Sequence, residues 1–389
     1  VTARLLVPIL SFGAWSASAQ LPASGTLSDA DLPRFHAEIA RLERLLETAP
    51  DKDTVTYEIA RTWASAKQWP ETIEWLRNVA ERNSGIDPSR DPVFTELRGT
   101  REFDDILVAV LRATPPVSHS TAVFSVNEGD LVPESMAYDP KRERFYFGSM
   151  KKGKVVRCTP AGSCTPFAVG LGSVLGLKVF ADGLWFLSNS DKEAALIHYD
   201  LASGRLVRRY AVKGSGHEFN DLAIASGGDV FVTDTRAGAV WRLASGETEL
   251  HRLQGQFEFA NGITLSPDGG LLYVSTFPEG IAVVDLKTGE AAPIARPSTL
   301  CLATIDGLYY YRGALVAIQN AFVSPRVVRL NLTEDHRGIA DFDILERRNP
   351  LFDGVTTGVI VGGDLYYMAN IQDEKKTGFV PVTILKVRL

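Results

Sequence analysis

The sequence predicts a mainly β protein, a six-bladed β-propeller with a small α-helical N-terminal domain. Two observations predict the propeller. First, six segments share one template: Pro133-Glu134-Ser135-Met136, Val174-Leu175-Gly176-Leu177, Phe219-Asn220-Asp221-Leu222, Ala260-Asn261-Gly262-Ile263, Ile305-Asp306-Gly307-Leu308 and Thr356-Thr357-Gly358-Val359. Their second residues recur every 41 to 51 positions, a period that marks arrays and propellers. Second, each segment runs on into β-rich stretches broken by one turn, such as Phe145-Tyr146-Phe147, Leu272-Tyr273-Val274 and Leu365-Tyr366-Tyr367. Four short strands per repeat and six repeats give six blades. In a closed ring, equivalent positions face one axis. The shared slot reads Glu, Leu, Asn, Asn, Asp, Thr, so four oxygen-bearing side chains are expected to converge.

The elements follow in order. Residues 1–19 carry Arg4, an apolar stretch and Ala17-Ser18-Ala19, the pattern of a secretory signal peptide. The apolar run is too short to span a bilayer. The expectation is a periplasmic or secreted protein with no membrane span after cleavage. Residues 20–29 are polar and rich in Ala, Ser and Gly, and read as a flexible start. From 30 to 113 the apolar period becomes helical: Phe35, Ile39, Leu42, Leu45 and Leu46, then Tyr57, Ala60, Trp63 and Ala64 behind a cap at Asp53 or Thr54. Pro70 opens a third helix carrying Ile73, Leu76 and Ala80. The pair over 54–83 resembles a tetratricopeptide-type hairpin, which implies either a groove for a protein partner or a cap packed on the propeller. Residues 114–121, with two prolines, form a linker, and the propeller fills 122–389. The stretch 122–126 reads as a strand, and so does 380–387. Pairing the first into the last blade closes the ring and removes both edges.

Composition narrows the function. A net charge of −6 leaves no basic footprint, so nucleic acid is not an expected partner. Cys158 and Cys164 flank a turn of the first blade and are either a disulfide or two surface thiols; Cys301 is left over. No C-x-x-C spacing, dinucleotide fingerprint or G-x-S-x-G elbow is present.

Chemistry points to the slot. Glu134, Asn220, Asn261 and Asp306 supply two carboxylates and two carboxamide oxygens, hard ligands that suit calcium, with magnesium, manganese or zinc as other divalent candidates. Asn and Asp are also ordinary strand-end residues that bind local backbone. Their shared register is what singles them out. A second polar ring, Ser149, Asn189, Asp234, Thr276, Asn320 and Asn370, rims the same mouth. Asn189, Asn320 and Asn370, with Asp221 and Glu218, are candidate substrate contacts. His217 stands beside the slot as either a general base or a solvated loop residue.

The run Phe259-Ala260-Asn261-Gly262-Ile263-Thr264-Leu265-Ser266-Pro267-Asp268-Gly269 resembles a repeat of the senescence-marker-protein (regucalcin)/gluconolactonase family, related to the paraoxonases. His217-Glu218-Phe219-Asn220-Asp221, Ile305-Asp306-Gly307 and Pro133-Glu134-Ser135-Met136 resemble other family repeats, over about residues 122–389. The resemblance implies a divalent metal, usually calcium, in the channel mouth. Glu134, Asn261 and Asp306 would be direct ligands, and Asn220 a ligand or a substrate contact. It also implies hydrolysis of a lactone or related ester, the metal polarising the carbonyl and Asp306 or a neighbour activating water. Where sugar-lactone members of the family carry arginine two residues before the Asn220 equivalent, this chain has Glu218. A carboxylate cannot replace a guanidinium donor, so a gluconolactone substrate is in doubt unless Glu218 points away. The rival is a non-catalytic module whose metal braces the channel while the helices bind a protein or small ligand. A fully protein-filled coordination sphere would favour that rival, and an open position the hydrolase.

Overall fold

The computed structural model describes residues 20–82, 84–372 and 380–389; the expected export segment at 1–19 lies outside them. Four helices come first: α1 (Leu32–Thr48), α2 (Lys52–Ser65), α3 (Trp69–Arg82) and α4 (Arg101–Ala113). Short 3-10 turns at Pro88–Arg90 and Pro92–Leu97 separate the last two. The cap of α2 is Asp51, not Asp53 or Thr54. Asp51 Oδ1 accepts the Thr54 N–H at 3.0 Å. Its other oxygen accepts the Leu302 N–H at 3.2 Å, and Arg296 lies 3.3 Å from the carboxylate. The cap is thus fixed from the propeller side, a tertiary contact that local sequence does not show. Residues 20–29, expected as a flexible start, are tied down instead. The Gly25 N–H donates to the Lys67 carbonyl, the Gln68 side-chain amide donates to the Gly25 carbonyl, and the Trp69 indole donates to the Ala23 carbonyl.

The propeller is six four-stranded antiparallel sheets; in five of them every strand pairs with its sequence neighbour. The innermost strands are Met136–Asp139, Ser173–Phe180, Phe219–Ile224, Ile263–Leu265, Ile305–Tyr311 and Gly358–Val361, defining blades 1 to 6. Thr121–Val126 is the outer strand of blade 6, antiparallel to Val382–Arg388 with Val126 opposite Val382. The ring therefore closes with strands from both ends of the propeller segment. The core is divided among the blade interfaces. Tyr146 and Val155 of blade 1 pack with Val174 and Phe186 of blade 2; Leu187 and Leu196 of blade 2 pack with Leu222 and Val232 of blade 3. At the closure, Phe124 and Val126 join Phe145, Val156 and Met368. Cys158 and Cys164 stand opposite each other on adjacent strands and are disulfide-bonded, S–S 2.00 Å, while Cys301 is a buried free thiol.

The helices share a core with propeller loops. Tyr57, Trp69, Leu76, Phe94 and Phe103 are buried together with Cys301, Ala303 and Val323. Backbone bonds cross the junction: Asp87 N to the Phe322 carbonyl at 2.7 Å, and Ser324 N to the Gly85 carbonyl at 2.8 Å. Arg348 lies 2.8 Å from buried Asp87. The loops concerned, before the inner strand of blade 5 and after its second strand, lie at the slot end of that blade. The helical domain is therefore docked on the face that carries the shared slot. The linker 114–121 is also held: the His119 and Ser120 N–H groups both donate to Glu346 Oε2, at 2.9 and 2.7 Å. Among the described residues, no helix is long and apolar enough to cross a membrane.

Candidate active site at the channel mouth

The slot side chains are aimed by the backbone. In blades 2, 3 and 5 the pairing of the inner strand with its neighbour shifts register around the slot, between Val174 and Leu177, Phe219 and Leu222, and Ile305 and Gly307. A bulge of this kind turns a side chain away from the regular alternation, and it falls on Asn220 and Asp306. The glycine after the slot lets inner strands crowd the axis. A Cβ on Gly262 would sit 2.6 Å from the Asp306 carbonyl oxygen, and one on Gly176 would sit 2.8 Å from that of Asn220. Glycine at 176 and 262 is thus a packing requirement that lets neighbouring inner strands approach at the slot.

Asp306 is the centre of the set. Its Oδ1 accepts Asn261 Nδ2 at 2.8 Å, and its Oδ2 accepts Asn320 Nδ2. Asn320 Nδ2 also reaches the Val355 carbonyl at 2.9 Å. Asn220 donates through Nδ2 to Thr235 Oγ1 at 3.0 Å, and Thr235 in turn donates to the Ala260 carbonyl. Each of these three carboxamides therefore keeps an Oδ1 with no donor among the described residues. Among the described residues the Glu134 carboxylate likewise accepts no hydrogen bond, while its backbone carbonyl is engaged by Thr357 Oγ1 at 2.7 Å. The two remaining slot residues, Leu175 and Thr357, are buried and add no charge.

The electrostatics identify what the set lacks. Burial, then the charges of Asp306 and Asp221, push Glu134 well above the usual carboxylate range. Asp306 is raised to about 6, chiefly by burial, against the lowering effect of its Asn320 and Asn261 donors. The Lys178 ammonium lies 3.6 Å from Asp221 and 5.3 Å from the Tyr309 ring centre. Two like-charged, desolvated carboxylates with unpartnered carboxamide oxygens around them fit a divalent cation bound by hard ligands. Among the described residues no group of three or more His, Cys, Asp or Glu side chains is placed to hold a metal, so this donor set rests on carboxamides as much as on charge.

A pH prediction follows with a definite sign. In the metal-free protein Asp306 binds its proton more tightly folded than unfolded, so its contribution to stability falls as pH rises from about 4 to about 6. Removing the neighbouring like charge with Glu134→Gln is expected to raise the melting temperature in chelator by a few degrees at pH 7.5. At pH 5 the gain shrinks, because protonation already relieves the repulsion. An equal shift at both pH values would show that the carboxylates do not interact.

Other expected residues are placed differently. Asn189 spends its amide on one backbone position, donating to the Phe219 carbonyl and accepting the Phe219 N–H, both at 2.8 Å. Asn370 does the same with the Pro381 carbonyl at 3.0 Å and the Thr383 N–H at 2.8 Å. Both amides brace strands, each with one donor and one acceptor engaged by backbone. Asp221 is buried in the channel wall, accepting the Leu222 and Ile263 N–H groups at 2.8 and 3.4 Å. Glu218 pairs with Arg236 at 2.8 Å on the exposed rim. His217 is held through Nδ1 by Asp234 at 2.7 Å and lies edge-on to Trp241. Neither interaction brings His217 to Asp306 or Glu134, so the structure does not support it as the base.

Beside Asp306 and Asn261 opens a cavity of about 380 Å³. Its wall includes Phe259, Phe277 and Phe322 from the propeller and Glu58 and Arg61 from α2. Sequence reasoning missed this wall. Phe259 flanks the Asn261 slot, but Arg61 and Phe322 belong to unrelated segments. Phe259 is the one visible signal, an aromatic ring 63% exposed on a residue with φ +49°.

Comparison with known proteins supports the propeller fold. Residues 132–308 match the model of the SMP-30/Gluconolactonase/LRE-like region, a span that contains Glu134, Asn220, Asn261 and Asp306. No curated protein matches the sequence. Among solved structures, the major allergen Mala s 1 of Malassezia sympodialis aligns with TM-score 0.56 at 17% identity, over 69% of this chain and 96% of its own. A gluconolactonase of Xanthomonas campestris aligns with TM-score 0.51 at 16% identity, over 71% and 94%. The calcium-binding protein regucalcin of Agrobacterium tumefaciens gives TM-score 0.51 at 16% identity, over 69% and 97%. These likenesses establish the six-bladed fold that the repeats predict.

Proposed function

We propose that this protein is a metal-dependent hydrolase of a lactone or related ester, acting at the slot end of the propeller channel. The observation that carries the proposal is the convergence of Asp306 and Glu134 with the unpartnered oxygens of Asn220, Asn261 and Asn320, next to an open cavity. The family description, which includes gluconolactonase, supports the reaction class. The calcium-binding neighbour supports calcium as the ion. Glu134, Asn261 and Asp306 would hold the ion, with Asn220 as a further oxygen ligand. A divalent cation bound there supplies Lewis-acid polarisation of a carbonyl and acidification of a water.

The chain's own residues do the rest. Asn261 and Asn320 fix the Asp306 carboxylate through both its oxygens, so it meets a substrate in one orientation. Asp306 receives the proton of the attacking water. Thr276 Oγ1, buried at the cavity with no partner among the described residues, is a hydroxyl that would donate to a substrate oxygen. Glu218 is committed to Arg236 and does not set specificity. Export to the periplasm or medium, on the pattern of residues 1–19, belongs to the same proposal. Turnover of a panel of lactones and aryl esters, with calcium and with chelator, tests the reading. Chelator-sensitive hydrolysis of a panel member is expected. No turnover, with calcium still raising the melting temperature, would favour the metal-braced binding module.

A further inference from the structure

The helical domain does more than cap the propeller. Its helix α2 forms one side of the cavity that opens on Asp306 and Asn261, through Glu58 and Arg61. The opposite side is aromatic. Phe277 lies edge-on to both Phe259 and Phe322, with ring centres 6.0 and 6.1 Å apart, and Phe322 packs on Tyr57 of α2 at 4.7 Å. Tyr57 donates to Asp91 at 2.9 Å. One row of rings thus runs from the propeller rim to the helical core.

We infer that α2 and this aromatic row form the substrate-selecting wall, and that the wall takes an uncharged ester or lactone with a flat apolar body, aryl or alkyl. The inference rests on the hydrolase reading above and names its substrate class. Charge argues for a neutral ligand. Arg61 Nη1 is bonded to both Glu58 oxygens at 2.9 and 3.2 Å, and its Nε lies 2.9 Å from Asp91 Oδ2. Its charge is therefore cancelled, and among the described residues the wall offers no free cation to an acid. The Nη2 group has no partner among the described residues, which leaves N–H donors for a neutral carbonyl or ether oxygen. The aromatic row argues for an apolar body: Phe259, Phe277 and Phe322 offer ring contact to apolar groups in a cavity that also carries Thr235, Ser275, Thr276 and Thr304. Phe259, the most exposed of the three, is held at the mouth with its face available.

The test uses the full chain with calcium and a series of γ-lactones carrying alkyl tails of increasing length, with phenyl acetate and δ-gluconolactone as controls. The expected result is a kcat/KM that climbs with tail length, mainly through KM, and exceeds that for gluconolactone. Phe259→Ala is expected to lower kcat/KM for the longest tail about tenfold and for the tail-less lactone far less. Glu58→Trp, which fills the cavity from the helix side, is expected to raise KM for tailed lactones with little change in kcat. A flat tail series, a preference for gluconolactone, or a Phe259→Ala loss equal across the series would overturn the inference. If no ester or lactone is hydrolysed at all, the hydrolase reading fails, and calorimetry with phenyl acetate judges the wall by itself. Binding weakened by Phe259→Ala upholds it, and no binding to the unaltered protein overturns it.

Discussion

Asp306→Ala is expected to abolish ester or lactone turnover, by at least about a hundredfold, and to remove the rise in melting temperature produced by calcium. The size of the effect follows from the central place of this carboxylate. Asp306 carries one of two negative charges in the set, and it accepts from both Asn261 and Asn320. Alanine leaves Glu134 as the only slot carboxylate and removes the acceptor that Asn261 and Asn320 share. Asp306→Asn separates charge from shape, because it keeps the volume and an oxygen. It is expected to retain most of the stability in chelator while losing the response to calcium. Thermal melts with and without calcium, alongside turnover, check both variants. Full activity in Asp306→Ala would remove this residue from the mechanism.

The second large effect concerns closure. Deleting residues 122–126 removes the strand that pairs with Val382–Arg388 and withdraws Phe124 and Val126 from the interface of blades 6 and 1. Two buried apolar side chains and one edge of ladder hydrogen bonds amount to roughly 5 kcal/mol or more, on the scale of a domain's whole stability. The deletion also bares a strand edge, a template for aggregation. The expected outcome is loss of cooperative unfolding for the entire propeller. An unchanged melt would mean that the ring is held closed without this strand.

The contrast between slot and wall shows what the sequence made legible. Glu134, Asn220, Asn261 and Asp306 could be found because the blade repeat keeps them in register, so that position along the chain encodes position around the axis. The same register picks out Asn189 and Asn370, whose amides also serve the backbone of the hairpin, each giving one donor and one acceptor to the ladder. At Asn320 the amide donates to Asp306 as well as to backbone, a difference that the residue type cannot reveal. The helices were readable from their period, but their docking was not. Asp51 caps α2 and binds the propeller at once, and Phe322 meets Tyr57 across a long stretch of chain. The cavity wall is therefore a product of tertiary packing with no template in the sequence.

The most direct test of the central claim is anomalous diffraction from crystals of the full chain soaked with manganese as a calcium substitute. The account predicts one strong peak in the channel mouth, bound by carboxylate oxygens of Glu134 and Asp306 and by carboxamide oxygens of Asn220 and Asn261, with at least one position held by solvent facing the cavity lined by Phe259. A channel without a peak, or an ion enclosed entirely by protein ligands, would contradict a metal-dependent hydrolase.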